Sequence, residues 1–330
     1  MEHWLPFIFV CVMGIALLAY VILDGYDLGI GILLPFGNDE EKDRMIAAIG
    51  PFWDANETWI VLGIGILLIA FPKAYGLVLT SLYIPVTAML MGLTLRGVAF
   101  DFRVKAGAEK KKRWDVLFFA GSLVAAMAQG WMLGDYITGL GNAGVNQLFS
   151  ILIAMTMPAL YVMLGGAWLL IKASGTLHDK AIRWCRLALL PMGLALLLVS
   201  IATPIVSDEI ATRWFTLPNA IGLMPIPLAC ALCFAGMFYL LRQPHIVKSG
   251  YGWLVFGALV VICLMAAIGL AFSIFPWIVL GKLTIWEAAA ASDSLLFTLI
   301  GTLVTLPMII GYTIFVYRIF SGKAEALSYE

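Results

Sequence analysis

Charge is what this sequence has least of. Of 330 residues only 12% are charged while 62% are hydrophobic, and the mean hydropathy is +0.99. A soluble domain could not cover so much apolar surface with so few charges, so a water-exposed fold is excluded and the solvent is lipid. The 20 basic and 20 acidic residues balance, which leaves no electrostatic footprint for a nucleic acid partner. Histidine is scarcer still. His3, His178 and His245 lie near the ends of apolar runs or in connections, so no run interior offers the imidazole that most b-type haems need. The 5 cysteines are scattered, and "CALC" at 230–233 sits in an apolar run without a second pair, which reads as packing rather than as a metal or redox site. A P-loop and a dinucleotide fingerprint are both absent. No linker separates soluble domains, so residues 1–330 read as a single integral membrane domain.

What is present is a series of long apolar runs. A hydrocarbon core of about 30 Å takes ~20 helical residues to cross, and nine runs qualify, over 5–34, 50–70, 76–100, 115–138, 147–171, 184–206, 217–241, 253–276 and 295–319. The fold class is therefore an all-α polytopic membrane protein with nine transmembrane helices. The opening "MEHW" lacks the basic start of a signal peptide, and the run behind it is too long for a cleavable one, so the first helix is expected to stay. Sixteen lysines and arginines fall in the connections after helices one, three, five and seven and in the C-terminal tail, and three (Lys73, Arg213, Lys282) in the alternate set. Basic residues mark the cytoplasmic side, which puts the N-terminus outside and the C-terminus in the cytoplasm. The strongest charge run, "RVKAGAEKKKRW" at 103–114, reads as a solvated cytoplasmic loop that fixes this topology. Pro85, Pro158, Pro191 and Pro225 fall inside runs and are expected to kink them.

Five charges break the apolar pattern. Counted from the outer end of each run, Asp24 and Arg96 are 19 residues in and Asp54 is 17, depths of about 25–29 Å at 1.5 Å per residue. Three helices thus carry ionisable groups at one level. Asp24 and Asp27 are three apart and share a face of helix one, and Asp54 and Glu57 repeat the spacing on helix two. Four carboxylates and Arg96 could meet there, facing the bundle interior, a partner or a wet cavity, because lipid exposure would cost each about 2.5–3.5 kcal/mol. Gly25 and Gly29 form a small-xxx-small pair through which another helix can approach. Two readings stay open: boundary residues or an ion pair that only fixes packing, and a proton relay, since crowded carboxylates in a poor dielectric cannot all stay ionised. Asn56 is either a hydrogen-bonding member of such a relay or a helix-start residue. Gln129, mid-run in helix four, reads as a helix-to-helix hydrogen bond.

The segments "DGYDLGIG" (24–31), "GPFWDANETW" (50–59), "FPKAY" (71–75), "LRGVAFDFR" (95–103) and "GYTIFVYRIFSGK" (311–323) together resemble subunit II of the cytochrome bd family of bacterial quinol oxidases. The likeness is densest over residues 20–105, and the chain's length looks most like the cyanide-insensitive branch. The resemblance implies two four-helix bundles plus one additional helix, in the bacterial cytoplasmic membrane. It implies no haem on this chain, with haems b and d on a partner, subunit I, that reduces oxygen to water. A quinone on this subunit and a small accessory subunit occur within what the family allows. By motif match Asp54 is the leading carboxylate of a cytoplasmic proton pathway, with Asp24 and Asp27 beside it. One departure is Ala55, where the family usually has glycine. The competing reading is a proton-coupled secondary transporter, which also carries intramembrane acids, though near the midplane and between repeats.

Overall fold

The computed structural model describes residues 3–141 and 144–324. Among them nine helices are long and apolar enough to cross a membrane. They are α1 (Trp4–Leu33), α2 (Trp53–Ala70), α3 (Tyr83–Lys105), α4 (Ala108–Ile137), α5 (Gly144–Lys172), α6 (Gly175–Val206), α7 (Pro225–Arg242), α8 (Trp253–Ile274) and α9 (Ser292–Ile319). Short helices, among them Asp39–Ile49 and Pro72–Ser81, join them. So does one antiparallel hairpin, β1 (Trp277–Val279) with β2 (Leu283–Thr284), which turns at Gly281 with φ 67°.

Several ends differ from the hydropathy reading, each for a local reason. The third run was expected to start at 76, but Pro72–Ser81 is its own helix and α3 begins at Tyr83. Pro85 has no N–H and its ring would clash with the Ser81 carbonyl, so the helix cannot run through. Pro85 and Pro225 therefore start helices rather than kinking them, whereas Pro158 and Pro191 lie inside α5 and α6. The lysine run expected as a loop is largely helical: α4 starts at Ala108, seven residues before position 115, because Glu, Lys and Arg are good helix formers.

Helix α1 lies at the centre, against α2, α4 and α5; α3 pairs with α4, and α4 with α5. Helices α5, α6, α7 and α8 each touch the next, and α8 returns to α5, while α9 rests on α2 and α1 alone among the spanning helices it meets closely. Glycines permit the tightest crossings. A Cβ on Gly29 would overlap the Tyr161 carbonyl oxygen and stand 2.9 Å from the Gly165 nitrogen, and one on Gly165 would stand 2.6 Å from the Gly29 carbonyl carbon. Backbones that close gain van der Waals contact that lipid tails cannot supply. On α4, a Cβ at Gly121 would meet the Arg96 backbone nitrogen at 2.9 Å, so α3 is held close at the turn that carries Arg96.

Candidate functional site

Asp24 and Asp27 occupy the turn of α1 where that helix becomes fully enclosed, and both are 0% exposed. Arg96, on α3, is 1% exposed; its Nη2 donates to Asp24 Oδ1 at 2.6 Å and also to Glu57 Oε1. Glu57 is the open member, with 27% of its side chain accessible. A guanidinium buried among helices is tolerable only when paired, and here one group holds carboxylates from two other helices. Asp24 Oδ2, Asp27 Oδ1, Arg96 Nε and Arg96 Nη1 are buried without a hydrogen-bond partner among the described residues.

Asn56 is 1% exposed and uses its amide in several directions. Its Nδ2 donates to Asp27 Oδ2 at 2.8 Å and to the Tyr26 hydroxyl at 2.7 Å, with a longer contact of 3.3 Å to the Leu23 carbonyl. The Tyr317 hydroxyl, from α9, donates to Asn56 Oδ1 at 3.0 Å and lies 2.6 Å from the Tyr26 hydroxyl. The donor inventory then fixes the directions. Tyr317 spends its proton on Asn56 and Asn56 spends one on Tyr26, so Tyr26 must donate to Tyr317. The three side chains form a closed ring whose every donor is used. Trp168 stacks on Tyr26 at 4.3 Å between ring centroids, and Phe52 lies 4.6 Å from Tyr317.

Asp54 does not join this cluster. It is exposed in the first turn of α2 and makes no side-chain hydrogen bond among the described residues. The expected meeting of four carboxylates is thereby reduced to three, for a geometric reason. At about 100° per residue, Asn56 stands roughly 200° around α2 from Asp54, so turning Asn56 toward α1 turns Asp54 outward. Glu57 falls at the edge between them. Ala55 is half-buried, and its carbonyl accepts from Thr58 Oγ1 at 2.6 Å.

Beyond the spacing of acids, little in the sequence points to the aromatic hydroxyls. Tyr26 and Tyr317 lie inside two of the quoted segments, but their partnership spans 291 positions. Gln129 does bridge helices: its Nε2 donates to the Tyr20 hydroxyl at 2.7 Å, and Tyr161 donates to its Oε1. A second ionic knot closes the same end of the molecule. Arg103, 2% exposed, donates to Asp115 and, at 2.7 Å, to Asp43, while Lys42 reaches Asp115 at 3.2 Å and Lys111 reaches Asp43 at 3.1 Å. This knot ties the Asp39–Ile49 helix to α3 and α4.

Residues 5–320 match the family model described as cytochrome bd terminal oxidase subunit II. The chain belongs to that family. It is 30% identical over 343 residues to the cytochrome bd ubiquinol oxidase subunit 2 of Bacillus subtilis (strain 168), across 98% of this chain and 97% of that one. The cytochrome bd-I ubiquinol oxidase subunit 2 of Escherichia coli (strain K12) is 33% identical over 139 residues, 41% of this chain and 37% of that one. A bd oxidase structure from Geobacillus thermodenitrificans shares the fold, with a TM-score of 0.78 over 96% of this chain and 98% of that one at 18% identity.

A cytochrome family raises the question of haem. His3 stacks on Trp286 at 4.7 Å, His245 is exposed, and His178 belongs to the first turns of α6. Among the described residues no group of three or more His, Cys, Asp or Glu is placed to hold a metal ion. His178 is itself buried, 8% exposed.

Proposed function

We propose that this chain is the haem-free subunit of a quinol:oxygen oxidoreductase of the bacterial cytoplasmic membrane, seated beside a haem-bearing subunit I, and that it conducts protons from the cytoplasm toward that partner. Family membership supports the oxidase assignment. The observation that carries the proton path is a graded series of carboxyls: Asp54 exposed, Glu57 partly exposed, and Asp24 and Asp27 fully buried, with Arg96 joining Glu57 to Asp24. Such a series leads from a wet surface to a dry interior. Asp24 and Glu57 pair with one guanidinium, while Asp27, buried beside them, accepts only from Asn56, so the cluster balances its charge only by holding protons. A site that must hold protons next to one open to water is the elementary unit of a relay.

Asp54 is the mouth of the route, Glu57 its second station and Asp24 its buried end, with Arg96 as charge partner. Asp27 and Asn56 form a side branch. Helices α1–α4 form one bundle and α5–α8 the other, with α9 as the additional helix; the neighbour pattern supports this grouping. The N-terminus is assigned outside and the C-terminus inside, from the distribution of lysine and arginine; residues 1–2 and 325–330 themselves lie outside the described residues. Uptake on one side with quinol protons released on the other separates charge, about 2.3 kcal/mol per charge at 100 mV.

The test is oxygen uptake by the purified complex carrying Asp54→Asn or Glu57→Gln. A relay predicts at least a tenfold loss of turnover in one of them with the haem absorption unchanged. Undiminished uptake in both would leave a silent scaffold, and saturable solute uptake by this chain alone in vesicles would favour a transporter.

A further inference from the structure

A pocket of about 290 Å³ opens where α5 passes into α6, beside the α7–α8 connection and the tail that follows α9. Part of its wall is the turn of Ala173, Ser174 and Gly175, the last at φ 62°. Gly175 begins a helix of 32 residues, whose first N–H groups have no acceptor within the helix. Ser174, at the cap position, gives them no side-chain hydrogen bond. The start of α6 thus brings unused donors and the positive end of its dipole to the pocket. The side chains add charge of the same sign. Lys323 donates to the Ile171 carbonyl at 2.8 Å, which uses one of its three N–H donors. Lys248 pairs with Asp179 at 2.6 Å. Behind the wall, Lys172 is 4% exposed and donates to the Phe320 and Gly322 carbonyls, with no carboxylate partner among the described residues. His178 is buried and lines the pocket, and no side chain among the described residues hydrogen-bonds its ring. Three ammonium groups are therefore answered by a single carboxylate, that of Asp179.

We infer that this pocket binds a phosphate group, held by the first amides of α6, the Lys323 and Lys248 ammonium groups and the His178 ring. Backbone donors at a helix start and ammonium groups with donors to spare are the chemistry that receives a tetrahedral oxyanion. Asp179 opposes an anion, and its ion pair with Lys248 offsets that repulsion. The level of the pocket bears on where the phosphate comes from. Helix α5 ends at Lys172, α6 begins at Gly175 and α9 ends at Ile319, so the pocket lies at the ends of spanning helices, where lipid headgroups are found. Tyr251 and Trp253, at the start of α8, are 51% and 56% exposed beside the same connection, as anchors in the headgroup layer are. A phospholipid headgroup and free phosphate present the same oxygens to these donors, and the test separates them. The inference does not depend on the proton relay.

Inorganic phosphate and dioctanoyl phosphatidylglycerol are titrated separately into the delipidated protein, purified in detergent with its natural partners, and binding is followed by calorimetry. The variants are Lys323→Gln, which removes a donor, and Ser174→Glu, which sets a carboxylate at the pocket while leaving the Lys323–Ile171 contact in place and so serves if the first variant loosens the tail. Lys110→Gln, at an exposed lysine in the first turn of α4, is the control for charge alone. The expected result is saturable binding by the parent, about tenfold weaker in Lys323→Gln and in Ser174→Glu and unchanged in Lys110→Gln, with melting temperature as the check on folding. Binding of the lipid about tenfold tighter than that of phosphate assigns the site to a headgroup; equal or weaker binding assigns it to free phosphate. No saturable binding by the parent, or equal loss in all three variants, overturns the inference. So does binding that the parent shows only after residues 325–330 are removed, since the chain's own terminal carboxylates would then be the occupant.

Discussion

At the scale of single residues, burial and pairing work against each other, and outside the membrane the outcome can be read from pH. Burial disfavours the ionised form of Asp43, yet hydrogen bonds from Arg103 and Lys111 outweigh it and hold the carboxyl below its ordinary value. Glu41 behaves alike: burial opposes its charge, and Lys180 with the Asn38 backbone prevails. A carboxyl held lower in the folded state stabilises that state at neutral pH, and the contribution disappears as pH falls through the lowered value. Thermal unfolding of the solubilised protein is therefore expected to become less favourable to the fold below about pH 5, and Asp43→Asn is expected to flatten that acid limb. An unchanged limb would place the acid-sensitive contacts elsewhere. The grouping of Asp24, Glu57 and Arg96 was legible in the sequence because spacing along a helix and depth from its end are both countable. The outward turn of Asp54 was not, since it depends on which face of α2 meets α1, and that is settled by Asn56 finding Asp27.

At the scale of elements, the spanning helices were legible and their ends were not. Hydropathy registers twenty apolar residues wherever they occur, but it is blind to a helix that continues into charged turns, as α4 does through Lys110, Lys111 and Lys112. Pairings between helices were visible only where small residues marked them, as at Gly25 and Gly29. The closest of these crossings makes a sharp prediction. Gly29→Ala places a methyl group on the Tyr161 carbonyl oxygen, forcing α1 from α5 at a cost of about 1–3 kcal/mol. Gly14→Ala, on the same helix with nothing within 4 Å of the added carbon, is the control. Assembly yield and melting temperature should fall in the first variant and hold in the second; equal behaviour would mean the two backbones have room to spare.

At the scale of the whole molecule, the topology proposed from the charge asymmetry of the connections has the hairpin Trp277–Thr284 and the lysine-rich start of α4 face opposite compartments. In a cysteine-free background, a cysteine in place of Lys282 should react with a membrane-impermeant reagent in intact cells, and one in place of Lys110 only after the membrane is opened. The reverse pattern would invert the topology and with it the side from which protons enter. Which faces meet a partner and which meet lipid was not legible, because α7 and α9 present apolar faces that lipid and protein would cover equally well. The ring of Tyr26, Asn56 and Tyr317 has a further consequence for how the chain is made. It draws on α1, α2 and α9, so a ribosome must pass α9 before Asn56 has all its companions. Until α9 is threaded, that amide sits in the forming bundle with its oxygen unanswered by Tyr317.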